Sequence, residues 1–233
     1  MNPIKITYNF DFEDSFQEKI EITLNRQTLM SEAKPRKLKK WTKLDFYQCE
    51  NCQLKKETSP QCPIALNLDN IIEKFNKRKS YEMVLVRVET EDRTYEKKVA
   101  LQQGLGSLIG IIMVTSGCPT MEILQPMVRF HLPFATVEET TFRAASFYML
   151  GQYFRHHRNK KADLDLDGLL KGYQDIQKVN IGITDRLRSS SDIDAGTNAI
   201  VLLDIFAKTL PTSILDGLLD IEHIFKPLLD LDP

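Results

Sequence analysis

Four cysteines are the residues of this chain best suited to chemistry: Cys49 and Cys52 enclose two residues, Cys62 follows with Pro63 behind it, and Cys118 closes Ser116-Gly117-Cys118-Pro119. A Cys-x-x-Cys pair delivers two thiolates from one tight turn. With Cys62 it supplies three of the four soft ligands that tetrahedral zinc or an iron–sulfur cluster requires, and Cys118, or a histidine such as His131, would supply the fourth. Both Cys62 and Cys118 precede proline, a pairing also found at the last ligand of some ferredoxin motifs. Two other readings stand beside this one. The thiols can be reduced cysteines packed as small hydrophobes, or Cys49 and Cys52 can form a thiol–disulfide pair, a reading weakened because no βαβ pattern follows them. Nothing ahead of Cys49 reads as a secretory signal, so the expectation is reduced thiols in a cytoplasmic protein.

Cys118 has a second possible chemistry. Pro119 suits the first position of a helix, which would put Cys118 at its N-cap, where the helix dipole favours a thiolate. His131, with Arg129 beside it in Arg129-Phe130-His131-Leu132-Pro133-Phe134, would then be a candidate base. As neighbours of a metal, Arg129 and His131 would instead support the ligands from outside.

Three further motifs have plainer explanations. Asp163-Leu164-Asp165-Leu166-Asp167-Gly168 opens like a calcium loop, but Gln174 stands where a bidentate Glu is needed, so helix capping accounts for it better. Gly104-Leu105-Gly106 with Gly110 resembles a dinucleotide loop, yet it lies within an apolar helical stretch, where close packing is the better account. Basic runs at Lys34 to Lys43, enclosing Trp41, and at Arg155-His156-His157-Arg158 with Lys160-Lys161 could meet phosphates; the formal net charge of −1 gives no global field to hold nucleic acid.

The elements that must position these residues follow from periodicity. Ile4, Ile6, Tyr8, Phe10 and Phe12 alternate with polar residues, and Ile20, Ile22 and Leu24 repeat the pattern beyond Glu13-Asp14-Ser15, which predicts a β-hairpin. A second hairpin runs through Val84, Val86 and Val88, turns at Thr90-Glu91-Asp92 and returns through Tyr95 to Val99. Between the hairpins lies an insert, residues 34–80, with three cysteines and a short helix carrying Leu68, Ile71, Ile72 and Phe75. From about Val99 the period becomes helical. Thr136 and Glu139 make a capping box for a helix reaching about His157, with Phe142, Ala145, Met149 and Tyr153 on one face. Leu169, Tyr173, Ile176, Ile183 and Leu187 form the stripe of the next, and the two stripes are expected to face each other. A further helix runs from a cap near Asp194 through Asn198 to Lys208, before Pro211, and Ile214 to Phe225 is helical again. The fold class is therefore α+β: a four-stranded antiparallel sheet with a Cys-bearing insert in residues 1–100, then a helical part in residues 101–233. The longest apolar run, Leu105 to Val114, is about half the roughly 20 residues a bilayer span needs, so no membrane is expected.

The string Trp41-x-x-Leu44-x-x-x-Gln48-Cys49-x-x-Cys52-x-Leu54, then Cys62-Pro63, then Ser107-Leu108-Ile109-Gly110 to Ser116-Gly117-Cys118-Pro119, and Pro126 to Phe134, resembles a family of uncharacterised bacterial proteins, a domain of unknown function. The resemblance implies a cysteine-bearing β part and a helical C-terminal part, and groups the four cysteines with Arg129 and His131 in one pattern. The function that follows is a metal-supported module, with zinc at Cys49, Cys52, Cys62 and Cys118, that binds a protein partner of unknown kind. The alternative is an iron–sulfur or thiol-based redox enzyme or sensor using Cys118 and His131.

Overall fold

The structure is a computed structural model that describes residues 2–31, 38–190 and 194–231. Four antiparallel strands, β1 (Ile4–Phe12), β2 (Gln17–Leu24), β3 (Met83–Glu89) and β4 (Thr94–Ala100), form one sheet in the order β2-β1-β3-β4. Alternation explains the register. Tyr8 stands opposite Ile20 on one side and Val88 on the other, and Phe10 opposite Val86, so the middle of one face of the sheet is apolar, with Glu18 of β2 and Lys97 of β4 at its edges. On that face lie α1 (Pro63–Phe75) from the insert and α2 (Leu101–Val114), with Phe75 meeting the Phe10 ring edge-on at 5.0 Å.

Helix α2 is apolar nearly all round because it is covered on both sides, by the sheet and by α6 (Asp194–Ile221). Its glycines are contact points. A Cβ on Gly104 would lie 2.9 Å from Val86 and 3.1 Å from Phe10, while Gly106 and Gly110 face Ala199 and Leu203 of α6. The change from strand to helix falls between Ala100 and Leu101, yet both parts contribute to one core. A 3-10 turn (Pro119–Leu124) and the short α3 (Gln125–Arg129) follow α2, and α4 (Val137–His157) starts at the expected capping box, Thr136 Oγ1 accepting from the Glu139 N–H at 3.1 Å. Helices α5 (Asp167–Ser190) and α6 pack along each other, α4 leans on α6, and a 3-10 turn (Glu222–Phe225) and α7 (Lys226–Leu229) end the described chain.

Two expectations are corrected here. The stripe of α5 is buried, but Phe142, Met149 and Tyr153 of α4 are exposed; α4 buries its small and polar side, Thr141, Ala144, Ala145 and Gln152. Apolar residues occur all round α4, so hydrophobicity alone does not mark the side that packs. The second correction is that α6 continues past Pro211 to Ile221 instead of stopping near Lys208. Its packing along α2 and α5 outweighs the roughly 3 kcal/mol that an interior proline costs a helix.

The other motifs resolve into local structure. Asp163 caps the start of α5: its carboxylate accepts from the Gly168 N–H at 2.8 Å and from the Tyr148 hydroxyl at 2.7 Å, with Leu166 buried and Leu164 exposed. Trp41 is buried and donates from Nε1 to Asp69 at 2.9 Å, which also pairs with Lys39. Within the basic stretch around it, residues 34–37 lie outside the described residues. Among the described residues no single helix is long and apolar enough to cross a membrane.

Candidate metal centre

The four cysteines reach one place from three segments. Cys49 and Cys52 sit on a tight turn closed by the Cys52 N–H donating to the Cys49 carbonyl at 3.1 Å, entered through Tyr47 in the left-handed region at φ 46°. Cys62 is the N-cap of α1, and Cys118 the N-cap of the 3-10 turn; each is followed by proline at the first helical position, whose fixed φ starts the turn. Gly117, at φ 94°, supplies the backbone reversal that no other residue makes without strain before Cys118. All four cysteines line a single void of about 20 Å³.

Helix α5 forms the opposite wall through Val179 and Arg186. A Cβ on Gly182 would come within 2.7 Å of Cys49 Sγ, so a glycine in mid-helix is what lets the cysteine turn close on α5. Asn51, inside the turn, donates to the Asp175 carbonyl at 3.0 Å. Arg186 is 1% exposed. Its guanidinium donates to the carbonyls of Trp41 at 3.0 Å, Lys43 at 2.6 Å and Leu44 at 2.8 Å, which bolts the insert to α5, while its Nε–H is buried without a partner. The centre is therefore a cluster of thiols beside a buried cation whose named partners are neutral dipoles.

Electrostatics hold the thiols of Cys49, Cys62 and Cys118 protonated as they stand. Burial pushes the Cys49 thiol up to about 12, with further opposition from Cys62, and only Arg186 pulls it down. Burial likewise raises Cys118 to about 11, against the amides of Thr120 and Met121, and raises Cys62 against Arg186 and the amides of Ala65 and Ile64. The expectation that a helix N-terminus would favour the Cys118 thiolate is thus corrected: a six-residue 3-10 turn offers a weak dipole, and desolvation exceeds it. Among the described residues no group of three or more His, Cys, Asp or Glu is already set to hold a metal ion.

His131 and Arg129 are elsewhere. His131 Nε2 meets the Tyr8 hydroxyl at 2.6 Å, Tyr8 also bonds Ser107 Oγ at 2.9 Å, and His131 lines a larger cavity between α2 and α4. Burial, with the Arg143 charge, pushes its imidazole down to about 3, so it is neutral. The Arg129 guanidinium lies over the Phe130 ring at 5.6 Å. Arg186 escaped the sequence reading, although a signal was present: it follows Ile183 by three residues and so falls on the apolar stripe of α5.

A family described as a domain of unknown function (DUF6901) matches residues 6–226, and the chain belongs to that family. Neither the curated proteins nor the solved structures contain a match to it.

Proposed function

We propose that Cys49, Cys52, Cys62 and Cys118 bind one zinc ion as a structural centre that fastens the insert to the helical half of a non-enzymatic binding module. The observation that carries this reading is Arg186. A buried cation with a free N–H, whose named partners are neutral carbonyls, is an uncompensated charge, a situation costing several kcal/mol (about 3–5) when nothing balances it. Four thiolates around a divalent ion carry a net negative charge, and Arg186 balances part of it. The Cys49 and Cys118 thiols are too basic to ionise near neutrality unaided, so a metal that displaces their protons is the agent that completes the electrostatics. Closing on the ion turns the thiols inward about their single side-chain bonds.

Size favours zinc over a cluster. A void of about 20 Å³ has room for one water-sized body, for which about 10–15 Å³ suffices, and a cubane of iron and sulfide is several times larger. A closed set of four thiolates leaves no open coordination position, which points to a structural rather than a catalytic centre. Thiols kept free for metal need a reducing compartment, which supports a cytoplasmic location.

Elemental analysis of the purified full chain tests the reading. One zinc per chain in a colourless protein is expected, with metal lost and melting lowered in Cys118→Ser. Iron with sulfide and a brown colour would replace zinc by a cluster. Metal-free protein whose four thiols react freely under native conditions would end the reading.

A further inference from the structure

A cavity of about 460 Å³ lies apart from the thiols between α2, α3, α4, α5 and α6. Its walls are apolar, with Ile111, Val114, Leu124, Val128, Ile176 and Leu203 among them, and its size is that of a small-molecule site. Its charge is one-sided. Among the described residues that line it the charged ones are Arg143, within, and Lys97, exposed on the edge strand β4, and none of those described is Asp or Glu. Arg143 is held in place by donating from one nitrogen, Nη2, to the carbonyls of Met127 at 3.0 Å and Phe130 at 2.9 Å. The nearest acidic residue on its own helix, Glu139, one turn earlier, uses its carboxylate to accept from the Thr136 N–H at 2.7 Å. Neutral His131, fixed by Tyr8, adds a polar edge without charge.

We propose that this cavity binds an apolar monocarboxylic acid, the carboxylate on Arg143 and the hydrocarbon tail along the walls of α2, α5 and α6. An uncharged apolar ligand would leave the half-buried guanidinium with only Glu139, whose carboxylate also serves the Thr136 N–H, to counter its charge, and an apolar cation would meet like charge. An acid satisfies both the cation and the walls, and a planar guanidinium fork matches a carboxylate in geometry. The same partial burial depresses the pKa of Arg143, which Tyr173, Glu139 and Tyr95 counter, and a bound carboxylate would counter it further. The inference does not rest on the metal centre, since the cavity is lined by none of the four cysteines.

Titration calorimetry on the full chain with dodecanoate, below its micelle concentration, tests it, with dodecanol as the uncharged twin. Dodecanoate is expected to bind at one site and dodecanol at least about tenfold more weakly, the loss of one charge-assisted contact. Arg143→Gln should weaken dodecanoate by a similar factor and leave dodecanol unchanged. Gly110→Leu, whose side chain would enter the cavity beside Leu203, should remove both while the thermal melt stays cooperative. Equal binding of acid and alcohol, undiminished binding of the acid by Arg143→Gln, or no saturable binding of dodecanoate would each overturn the proposal.

Discussion

Replacing Arg186 by methionine separates a bracket from a counter-charge. The side chain is 1% exposed and donates three hydrogen bonds to backbone carbonyls of the insert. Bonds from a charged donor contribute about 1.5–3 kcal/mol each, and methionine recovers part of that through its apolar volume, so Arg186→Met should cost about 3–5 kcal/mol. For a chain of this size that lowers the melting temperature on the order of 10 °C. The loss should also depend on metal. With zinc bound, the thiolates lose a charge that, at the effective dielectric of a partly buried site, interacts with them by about 2–4 kcal/mol. Calorimetric melts of wild type and variant, each with excess zinc and with a chelator, give the four values of a cycle. A deficit larger by about 2 kcal/mol with zinc is expected. An equal deficit in both conditions would reduce Arg186 to a bracket and remove the main support for thiolates at the centre.

Gly182→Ala should weaken zinc at least about tenfold in a chelator competition while changing metal-free stability by less than about 1 kcal/mol, since the new methyl pushes the Cys49 turn back from 2.7 Å as it gains helix propensity; unchanged zinc affinity would refute the contact. His131 has its pKa depressed from 6.5 to about 3, so the folded state refuses a proton the unfolded chain takes, and stability present above about 6.5 is lost as pH falls. Urea melts at pH 7 and pH 5 should therefore differ by about 2 kcal/mol more in wild type than in His131→Gln, and equal losses would contradict the burial. Gly104→Val should destabilise by about 3 kcal/mol or more, because even a Cβ would lie 2.9 Å from Val86 and 3.1 Å from Phe10; a melt within 2 °C of wild type, against a shift of about 2–4 °C per kcal/mol, would show that α2 can move off the sheet.

The central strands were legible because each buries one face, so period-2 alternation from Ile4 to Phe12 and from Val84 to Val88 records their environment directly. The start of α4 was legible for a different reason: a capping box is a local contract between Thr136 and Glu139. What depends on a distant partner was not. The face of α4 that packs holds Ala144 and Ala145, and hydrophobicity does not mark a helix that packs through small side chains. Pro211 reads as a stop from sequence, and only the neighbours of α6 decide that the helix continues. At the candidate centre, the residue types and spacings of Cys49, Cys52 and Cys62 stand out, but Arg186 is 137 residues beyond Cys49, and its place beside them depends on the fold that brings α5 to the insert.

The two proposed sites meet in shared elements. Cys118, Pro119 and Thr120 line the thiol void while Met121 and Leu124, later in the same six-residue turn, line the large cavity. Helix α5 does the same one turn at a time, with Val179 and Arg186 on the thiols and Tyr173, Ile176 and Asn180 on the cavity. A short 3-10 turn has few hydrogen bonds of its own to hold its shape, so its position depends on what anchors its ends. Zinc at Cys118 would anchor the first end, and thereby the apolar wall that Met121 and Leu124 present to a bound acid. Coupling between sites is reciprocal, so an acid that braces that wall would in turn hold Cys118 in place for the metal. The proposed metal centre thus lies where a bound ion would set the shape of the proposed binding cavity, which would give such an ion a reason to be built from a cysteine so far along the chain.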